Sequence, residues 1–146
     1  TALAQGIGEK LSQLPPMVKC PVLIAKPSVS VSTKFVYQNL KLDENTKHPD
    51  IDALISAIKK KDFPEICTKM GNVLESVTIP NYPVIAEIKE KMMEAGAAHA
   101  MMSGSGPTVF GLFEDEETAQ RARDVMKASG LARQVYLTSI YNNRRK

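Results

Sequence analysis

The alternation of apolar and polar positions divides the chain into short strands and amphipathic helices. Residues 18–26 are mostly apolar and rich in β-branched side chains, which predicts a buried strand that ends at Pro27. The hydroxyl groups of Ser32 and Thr33 can cap a helix over the next seven residues, KFVYQNL. The first part of the chain therefore predicts a strand followed by a helix.

Two more helices are predicted in the middle of the chain. Asp50 can cap the first of them, and Lys59–Lys61 place positive charge at its end. Its predicted buried face carries four residues at helical spacing: Ile51, Leu54, Ile55 and Ile58. The sequence FPEICTKM, residues 63–70, predicts a second and shorter helical segment.

A longer helix is predicted after Asn81, whose side chain can cap it. Pro83 then lies in the first turn, where a missing N–H costs little, and Gly96 ends the helix. Three residues lie along its predicted buried side: Ile85, Ile88 and Met92.

Two short apolar runs, Ala97–Met102 and Thr108–Phe113, predict a pair of strands separated by Ser103-Gly104-Ser105-Gly106-Pro107. A tight hairpin needs only two turn residues, so this joint is longer than a turn requires. Gly104 and Gly106 can take positive φ and let another group approach, and successive N–H groups can cradle a phosphate or carboxylate. The alternative is a wide hairpin loop whose glycines only relieve strain.

The last helix begins with acidic residues at 115–117 and ends at Gly130, and residues 133–142 alternate as a closing strand. Four residues form the predicted buried face of that helix: Ala119, Ala122, Val125 and Met126. The outline is β-α-β-β-α-β, the ferredoxin-like split arrangement of an α+β domain. In it an antiparallel four-stranded sheet carries helices on one face, and here extra helices are inserted between the first two strands.

Composition limits the class of protein. The chain has 146 residues, 43% hydrophobic and 24% charged, as expected for one globular domain. No apolar run approaches the roughly 18 residues of a membrane span, and the N-terminus has no signal-peptide pattern. We therefore expect a cytoplasmic protein without a membrane partner. Because the chain starts at Thr1 rather than at Met, we expect a piece of a longer protein.

The cysteines, histidines and charges predict no metal site and no nucleic-acid partner. Cys20 and Cys67 show no metal-ligand spacing and are expected to be buried or half-buried free thiols, and His48 and His99 are isolated. The net charge is only +3, and its basic cluster, residues 142–146, is expected to be a solvated tail. A nucleic-acid interface usually needs a larger basic face with aromatic platforms, and the chain has no Trp, so this remains a minor alternative.

Three stretches together resemble the GHMP small-molecule kinases. AGAAHAMMSGSGPTVFGLF, residues 95–113, resembles the third signature motif of that family. TALAQGIGEKL, residues 1–11, is similar to the family's segment at the domain crossover, and AKPSVSVSTKFVY, residues 25–37, to the segment that opens its C-terminal domain. The resemblance extends over nearly the whole chain and keeps the same order.

The resemblance implies ATP-dependent phosphorylation of an alcohol. The variant of the motif is similar to that of the member that phosphorylates a cytidyl-bearing methylerythritol in non-mevalonate isoprenoid biosynthesis. Homoserine, mevalonate and galactose kinases share the motif, so another GHMP kinase is an alternative. A stand-alone ferredoxin-like ligand-binding or regulatory module without chemistry of its own is an alternative from a different class.

The resemblance also implies a domain organisation. Residues 1–17 correspond to the crossover from an N-terminal kinase domain, and residues 18–146 to the C-terminal domain. The glycine-rich phosphate loop and the catalytic residues of the family would all precede Thr1, so no catalytic residue is assigned to this chain. ATP and magnesium are expected for the whole enzyme, because metal ions bridge the phosphates during transfer. No magnesium ligand is identifiable in this chain.

Two groups of site residues follow from the resemblance. Five residues of the third motif would face the phosphate-binding loop: Ser103, Gly104, Ser105, Gly106 and Thr108. Thr33 and Tyr37 match positions that contact the cytidine part of the substrate, where an aromatic ring can stack on the base.

Overall fold

The structure of the chain is a computed structural model that describes residues 1–142. Within this range the chain forms six strands and six helices. The strands are β1 (Ala2–Gln5), β2 (Lys10–Gln13), β3 (Pro21–Lys26), β4 (His99–Met102), β5 (Val109–Leu112) and β6 (Gln134–Ser139). The helices are α1 (Thr33–Asn39), α2 (Ile51–Lys59), α3 (Phe63–Lys69), α4 (Glu75–Asn81), α5 (Val84–Glu94) and α6 (Glu116–Ser129). Most of the basic cluster at residues 142–146 lies outside the described residues.

Four of the strands form the predicted antiparallel sheet, in the order β4-β5-β3-β6. Val22 of β3 lies opposite Leu112 of β5 on one side and Thr138 of β6 on the other. At the edge, Met102 of β4 lies opposite Val109 of β5. This order and direction confirm the ferredoxin-like split arrangement predicted from the sequence.

The two faces of the sheet are covered by different helices. Because side chains alternate along a strand, Leu23 and Ala25 point into the main core, which α5 and α6 cover. Val22, which directly precedes Leu23, packs on the other face in a smaller cluster that includes Cys67 of α3. The helices of the split arrangement thus share one face as predicted, while the inserted α3 lies against the opposite face.

Local capping explains where most helices begin and end. The side chains of Ser32, Asp50 and Asp115 each accept a hydrogen bond from the backbone N–H three residues later, as N-caps do. Asp62 caps α3 in the same way. Gly130 follows α6 with φ +71°, the left-handed conformation that ends many helices. The predicted starts of α1, α2 and α6 and the predicted end of α6 are therefore confirmed, whereas the cap at Asp62 was not predicted.

The prediction that Asn81 caps the long helix is wrong. Asn81 is the last residue of α4, and its side-chain amide donates to the carbonyl of Val77 one turn earlier. Pro83 takes the cap position of α5 instead, without a side-chain hydrogen bond. Helix α4 was not predicted, since Pro80 lies inside it and removes one of its few internal hydrogen bonds.

Two predicted core positions are exposed. Val125 of α6 is 43% exposed, because the buried stripe of that helix is narrow and consists of Ala119, Ala122 and Met126. Ile51 is also 43% exposed, since it is the first residue of α2, where the helix end is open to solvent. The predicted buried side of α5 is confirmed in full, with three residues at 0% exposure: Ile85, Ile88 and Met92.

A separate two-stranded hairpin, β1–β2, stands at the start of the chain and was not predicted. Ala2 pairs with Gln13 and Gln5 with Lys10. Nearly all of its side chains are exposed, including Leu11 at 70%, and Ile7 in its turn is 99% exposed. An isolated two-stranded hairpin is marginally stable in water, so this element depends on further packing.

Both cysteines are buried free thiols, which confirms the expectation from the sequence. No helix within residues 1–142 has the length and apolar character needed to cross a membrane.

Candidate functional site

The β4–β5 loop, residues 103–108, connects two neighbouring strands of the sheet. The Ser103 N–H donates to the carbonyl of Thr108 at 2.8 Å, and the Gly106 N–H donates to the carbonyl of Ser103 at 3.0 Å. Gly104 has φ +57° and Gly106 has φ +87°, in the region that favours glycine. The loop therefore uses both glycines for conformations that other residues adopt only at a cost.

The two glycines have different surroundings. A Cβ atom added to Gly104 would meet nothing within 4 Å, and the residue is exposed. A Cβ atom on Gly106 would lie 2.9 Å from Met102 Sδ and 3.2 Å from Thr78 Cγ2. Packing within the chain thus explains the glycine at position 106. The space beside Gly104 is open.

Side chains from residues 72–78 hold the backbone of this loop. The Asn72 amide donates to the carbonyl of Met102 at 2.9 Å and to that of Gly104 at 2.8 Å. Thr78, which is fully buried, donates its hydroxyl to the carbonyl of Ser105 at 3.0 Å. These bonds fix one side of the loop, because each satisfies a backbone acceptor that lacks a ladder partner.

Glu75 anchors the base of the same loop. Its Oε2 accepts a hydrogen bond from the Met102 N–H at 3.0 Å. The carboxylate also pairs with Lys89 of α5, with 2.8 Å between Nζ and Oε2, and both side chains are largely buried. A charged acceptor shared in this way strengthens the hydrogen bond to the strand end.

Helix α1 contacts the same loop at Ser105. The hydroxyl oxygens of Thr33 and Ser105 are 2.9 Å apart. Val36 is fully buried and fixes the helix on the core, whereas Tyr37 is 60% exposed. Because Thr33 and Tyr37 are four residues apart, they lie on the same face of the helix.

The structure thus brings most of the predicted site residues together. Thr33 contacts the loop directly, and Tyr37 follows one helical turn away from that contact. Ser103 is exposed, and the side chains of Ser105 and Thr108 are half-buried. The arrangement places two hydroxyl groups in contact near an open glycine, and an exposed aromatic side chain follows one helical turn after the first of them.

Sequence reasoning missed three residues of this region: Asn72, Glu75 and Thr78. They recur every three residues in NVLESVT, residues 72–78, and each of them bonds a backbone group of residues 102–105. That polar spacing inside an otherwise apolar stretch is a signal that could have identified them as anchors.

The titratable groups near the sheet are tuned mainly by burial. Burial lowers the pKa of His99, the positive charge of Lys89 lowers it further, and Glu75 raises it. The Nε2 atom of His99 is buried and has no hydrogen-bond partner within residues 1–142. Burial and then Cys67 raise the pKa of the Cys20 thiol to about 11, while burial and Glu114 raise that of Cys67. Both thiols are therefore neutral and poorly suited to act as nucleophiles.

The described part of the chain offers no metal centre. No group of three His, Cys, Asp or Glu side chains in residues 1–142 could hold a metal ion. A surface cavity of about 530 Å³ lies next to His99, Cys67 and Glu114, and Phe63 lines its apolar side. Its lining residues lie outside the β4–β5 loop. Asn72 borders a second, smaller cavity of about 360 Å³.

Comparison with known proteins identifies the family of the chain. The family model "GHMP kinases C terminal" matches residues 54–131, which include α4, α5 and the β4–β5 loop. A 4-diphosphocytidyl-2-C-methyl-D-erythritol kinase of Lachnospira eligens is 57% identical over 141 residues, or 97% of this chain and 49% of that protein. The chain spans about half the length of the curated relatives it matches.

Two solved structures have a similar fold. A crystal structure of 4-(cytidine 5'-diphospho)-2C-methyl-D-erythritol kinase is 26% identical, with a TM-score of 0.78 over 97% of this chain and 50% of that one. A homoserine kinase from Cytophaga hutchinsonii is 21% identical, with the same TM-score of 0.78 over 96% of this chain and 47% of that one. The second likeness is one of fold alone.

Proposed function

The chain belongs to the GHMP kinases, and on that premise we propose that it is the C-terminal half of an ATP-dependent kinase. The proposed reaction transfers the γ-phosphoryl group of ATP to the 2-hydroxyl of 4-diphosphocytidyl-2-C-methyl-D-erythritol, a step of non-mevalonate isoprenoid biosynthesis. The observation that carries this proposal is the 57% identity to a kinase of that name across 97% of the chain.

The β4–β5 loop is assigned to the phosphate side of the active site. In the proposed enzyme, Ser103, Ser105 and Thr108 place hydroxyl groups near the phosphates, and Gly104 leaves room for the phosphate-binding loop of the other half. The open space beside Gly104 supports this role, since a Cβ there would meet no atom of this chain within 4 Å. Gly106 belongs to the same proposed motif, although its close contacts with Met102 and Thr78 already explain why this position is a glycine.

Helix α1 is assigned to the cytidine part of the substrate. Tyr37 would stack on the cytosine ring, and its 60% exposed side chain is free to do so in this chain. Thr33 would contact the same part of the substrate. The hydrogen bond between Thr33 and Ser105 supports a single site, because it joins the proposed cytidine-binding helix to the proposed phosphate-facing loop.

The other half of the proposed enzyme would pack on the β1–β2 hairpin. Residues 1–17 are then the crossover between domains, and residues 18–146 the C-terminal domain. The exposure of Ile7 and Leu11 supports this division, because apolar side chains at 99% and 70% exposure are unusual in a segment with no packing partner. The relatives' greater length leaves room for such a partner.

Phosphoryl transfer in the proposed enzyme needs groups that this half does not supply. The residues present do not fit a magnesium site, since residues 1–142 contain no cluster of three potential ligands. No step is therefore assigned to magnesium on this chain, and the catalytic groups are assigned to the other half together with the ATP phosphate loop. We also infer a cytoplasmic location, which two buried free thiols support because reducing compartments keep thiols free.

Two alternatives compete with this proposal. A homoserine or mevalonate kinase is the first, and shape does not decide against it, because the homoserine kinase has the same TM-score as the cytidyl-substrate kinase. A stand-alone ligand-binding module is the second. The exposed hairpin argues against it, because a two-stranded sheet without packing partners is only marginally stable and would need a further domain to pack on.

The deciding experiment uses the whole natural protein that contains this chain. It is incubated with ATP and, separately, with the cytidyl substrate, homoserine or mevalonate, and ³¹P NMR follows the new phosphomonoester. We expect at least about 100-fold higher kcat/KM for the cytidyl substrate, as a site built for the cytidyl group would give. The 146-residue chain alone should show no transfer.

Each other outcome is decisive. Preference for homoserine or mevalonate would assign the chain to another GHMP kinase. Absence of transfer with all three alcohols would favour the binding module, and transfer by the 146-residue chain alone would contradict the division of labour proposed here.

A further inference from the structure

The β4–β5 loop is held by one side chain that bonds two of its carbonyls at once. Asn72 Nδ2 donates to the carbonyl of Met102 at 2.9 Å and to that of Gly104 at 2.8 Å. At the other end of the same amide, Oδ1 accepts the Leu74 N–H at 3.0 Å. Both ends of the amide are therefore engaged, which fixes the orientation of the side chain.

The position of these bonds separates Asn72 from the other two anchors. Glu75 binds the strand end at Met102, and Thr78 binds Ser105 from a fully buried position inside the core. Asn72 alone among the three reaches Gly104, where the loop is exposed and faces open space. It is also only partly buried, so its loss removes fewer packing contacts than the loss of Thr78.

From this geometry we infer that Asn72 is a positioning residue for phosphoryl transfer. The inference rests on the proposed function, in which the Gly104 side of the loop faces the phosphates. Asn72 touches neither substrate in that arrangement and acts by fixing the carbonyl of Gly104. Transfer is sensitive to such placement, because a shift of about 1 Å at a remote support can cost about 100-fold in rate.

The amide chemistry suggests a substitution that removes the two donated hydrogen bonds and changes little else. Asn72→Asp keeps the size of the residue and the acceptor for the Leu74 N–H, but it replaces the double donor by a carboxylate facing two carbonyl oxygens. Asn72→Ala removes the donor without adding charge and is the second variant in case the carboxylate disturbs folding. Both are made in the whole protein.

Asn81 supplies a matched control. Asn81 is more exposed than Asn72, and it likewise donates its amide to a backbone carbonyl, that of Val77 at 2.8 Å, but it has no hydrogen bond to the loop among the described residues. Asn81→Asp therefore repeats the same chemical change on the same polypeptide segment. A general effect of losing one amide donor should appear equally in both variants.

Two measurements test the inference. In steady-state kinetics we expect Asn72→Asp and Asn72→Ala to lower kcat by about 10- to 100-fold, with the KM for the alcohol substrate within about twofold of wild type. Asn81→Asp should keep the wild-type kcat. In hydrogen exchange, the Gly106 N–H, which bonds the carbonyl of Ser103, should exchange at least about tenfold faster in the Asn72 variants.

The exchange measurement keeps the two proposals apart. If the wild-type protein phosphorylates none of the tested alcohols, the proposed function fails, and unchanged exchange at Gly106 would then overturn the positioning role as well. If the wild type is active, wild-type kcat in both Asn72 variants overturns the inference. An equal loss of kcat in Asn72→Asp and Asn81→Asp overturns it too, because it would reflect a general loss of structure.

Discussion

The hydroxyl oxygens of Thr33 and Ser105 lie 2.9 Å apart, although 72 residues separate them in sequence. This contact joins the start of α1 to the middle of the β4–β5 loop, two elements that no strand pairing connects. A long-range bond between exposed hydroxyls has little value for folding. In the proposed enzyme it sets the distance between the cytidine-binding helix and the phosphate-facing loop.

The first prediction concerns this bond. Thr33→Val and Ser105→Ala each remove it, so the double variant of the whole enzyme should lose less kcat/KM than the two single losses combined. The coupling energy should be about 1 kcal/mol, the net value of a typical hydrogen bond. Thr68→Val, which removes a hydroxyl that donates to the Glu65 carbonyl in α3, should combine additively with Ser105→Ala. Additive losses for Thr33 and Ser105 would show that the contact does not contribute to transfer.

The second prediction compares Gly104 with Gly130. Both have positive φ, +57° and +71°, and a Cβ on either would meet no atom within 4 Å. Gly104→Ala and Gly130→Ala should therefore each cost about 1 kcal/mol of unfolding free energy, measured by urea denaturation. Only Gly104→Ala should reduce kcat/KM, by about tenfold or more, because in the proposed enzyme its methyl group would meet the phosphate-binding loop of the other half. Wild-type kinetics in Gly104→Ala would mean that the loop is only a spacer.

Gly106 cannot serve in that comparison. A Cβ at this position would lie 2.9 Å from Met102 Sδ, so Gly106→Ala should destabilise the domain more than Gly104→Ala does. Any activity loss there would combine packing with function.

The third prediction tests the stacking role of Tyr37. In the whole enzyme, Tyr37→Ala should weaken binding of the cytidyl substrate by about 1–3 kcal/mol, and Tyr37→Phe should have little effect because the ring face remains. The KM for ATP should hardly change. Tyr136 on β6 is a matched control, 56% exposed against 60% for Tyr37, and Tyr136→Ala should leave substrate binding intact. Equal losses for ATP and the cytidyl substrate in Tyr37→Ala would indicate a structural role.

The fourth prediction follows from the lowered pKa of His99. Burial is the main cause, with Lys89 second. As pH drops through the ordinary pKa of 6.5, His99 binds a proton in the unfolded chain but stays neutral in the folded one. The free energy of unfolding therefore falls as pH drops through that value. Urea midpoints of the 146-residue chain from about pH 8 to about pH 5 should show this decline, and His99→Gln should reduce its slope. An unchanged slope in His99→Gln would assign the decline to other groups.

Much of the fold could be predicted because its signals are local. Asp50 and Asp115 stand next to the turns that they cap, and the buried side of α5 repeats within one helix. Asn81 shows the limit of such signals. It is a residue type that often caps helices, yet Pro83 takes the cap position of the next helix. The Asn81 amide instead donates to the carbonyl of Val77 in α4, a short helix that the sequence did not predict because it contains Pro80.

The candidate site could be predicted only in part. The glycines of the loop are visible in the sequence, and so is their need for positive φ. The bonds from Asn72 and Thr78 to that loop span 27 to 32 residues, and nothing in a single sequence pairs a side chain with a distant carbonyl. The difference between Gly104 and Gly106 likewise depends on the positions of Met102 and Thr78 in space.

The insertion between the first two strands of the split sheet carries four side chains that hold the β4–β5 loop and the strand end before it. Thr33, Asn72, Glu75 and Thr78 all lie between the end of β3 and the start of α5. The same segment also supplies Val36, Leu74 and Val77 to the main core, so its attachment to the loop and its packing on the sheet are coupled. For protein engineering, residues 28–82 are therefore the natural unit to transfer between members of the family, because a single transfer moves all four side chains that hold the loop.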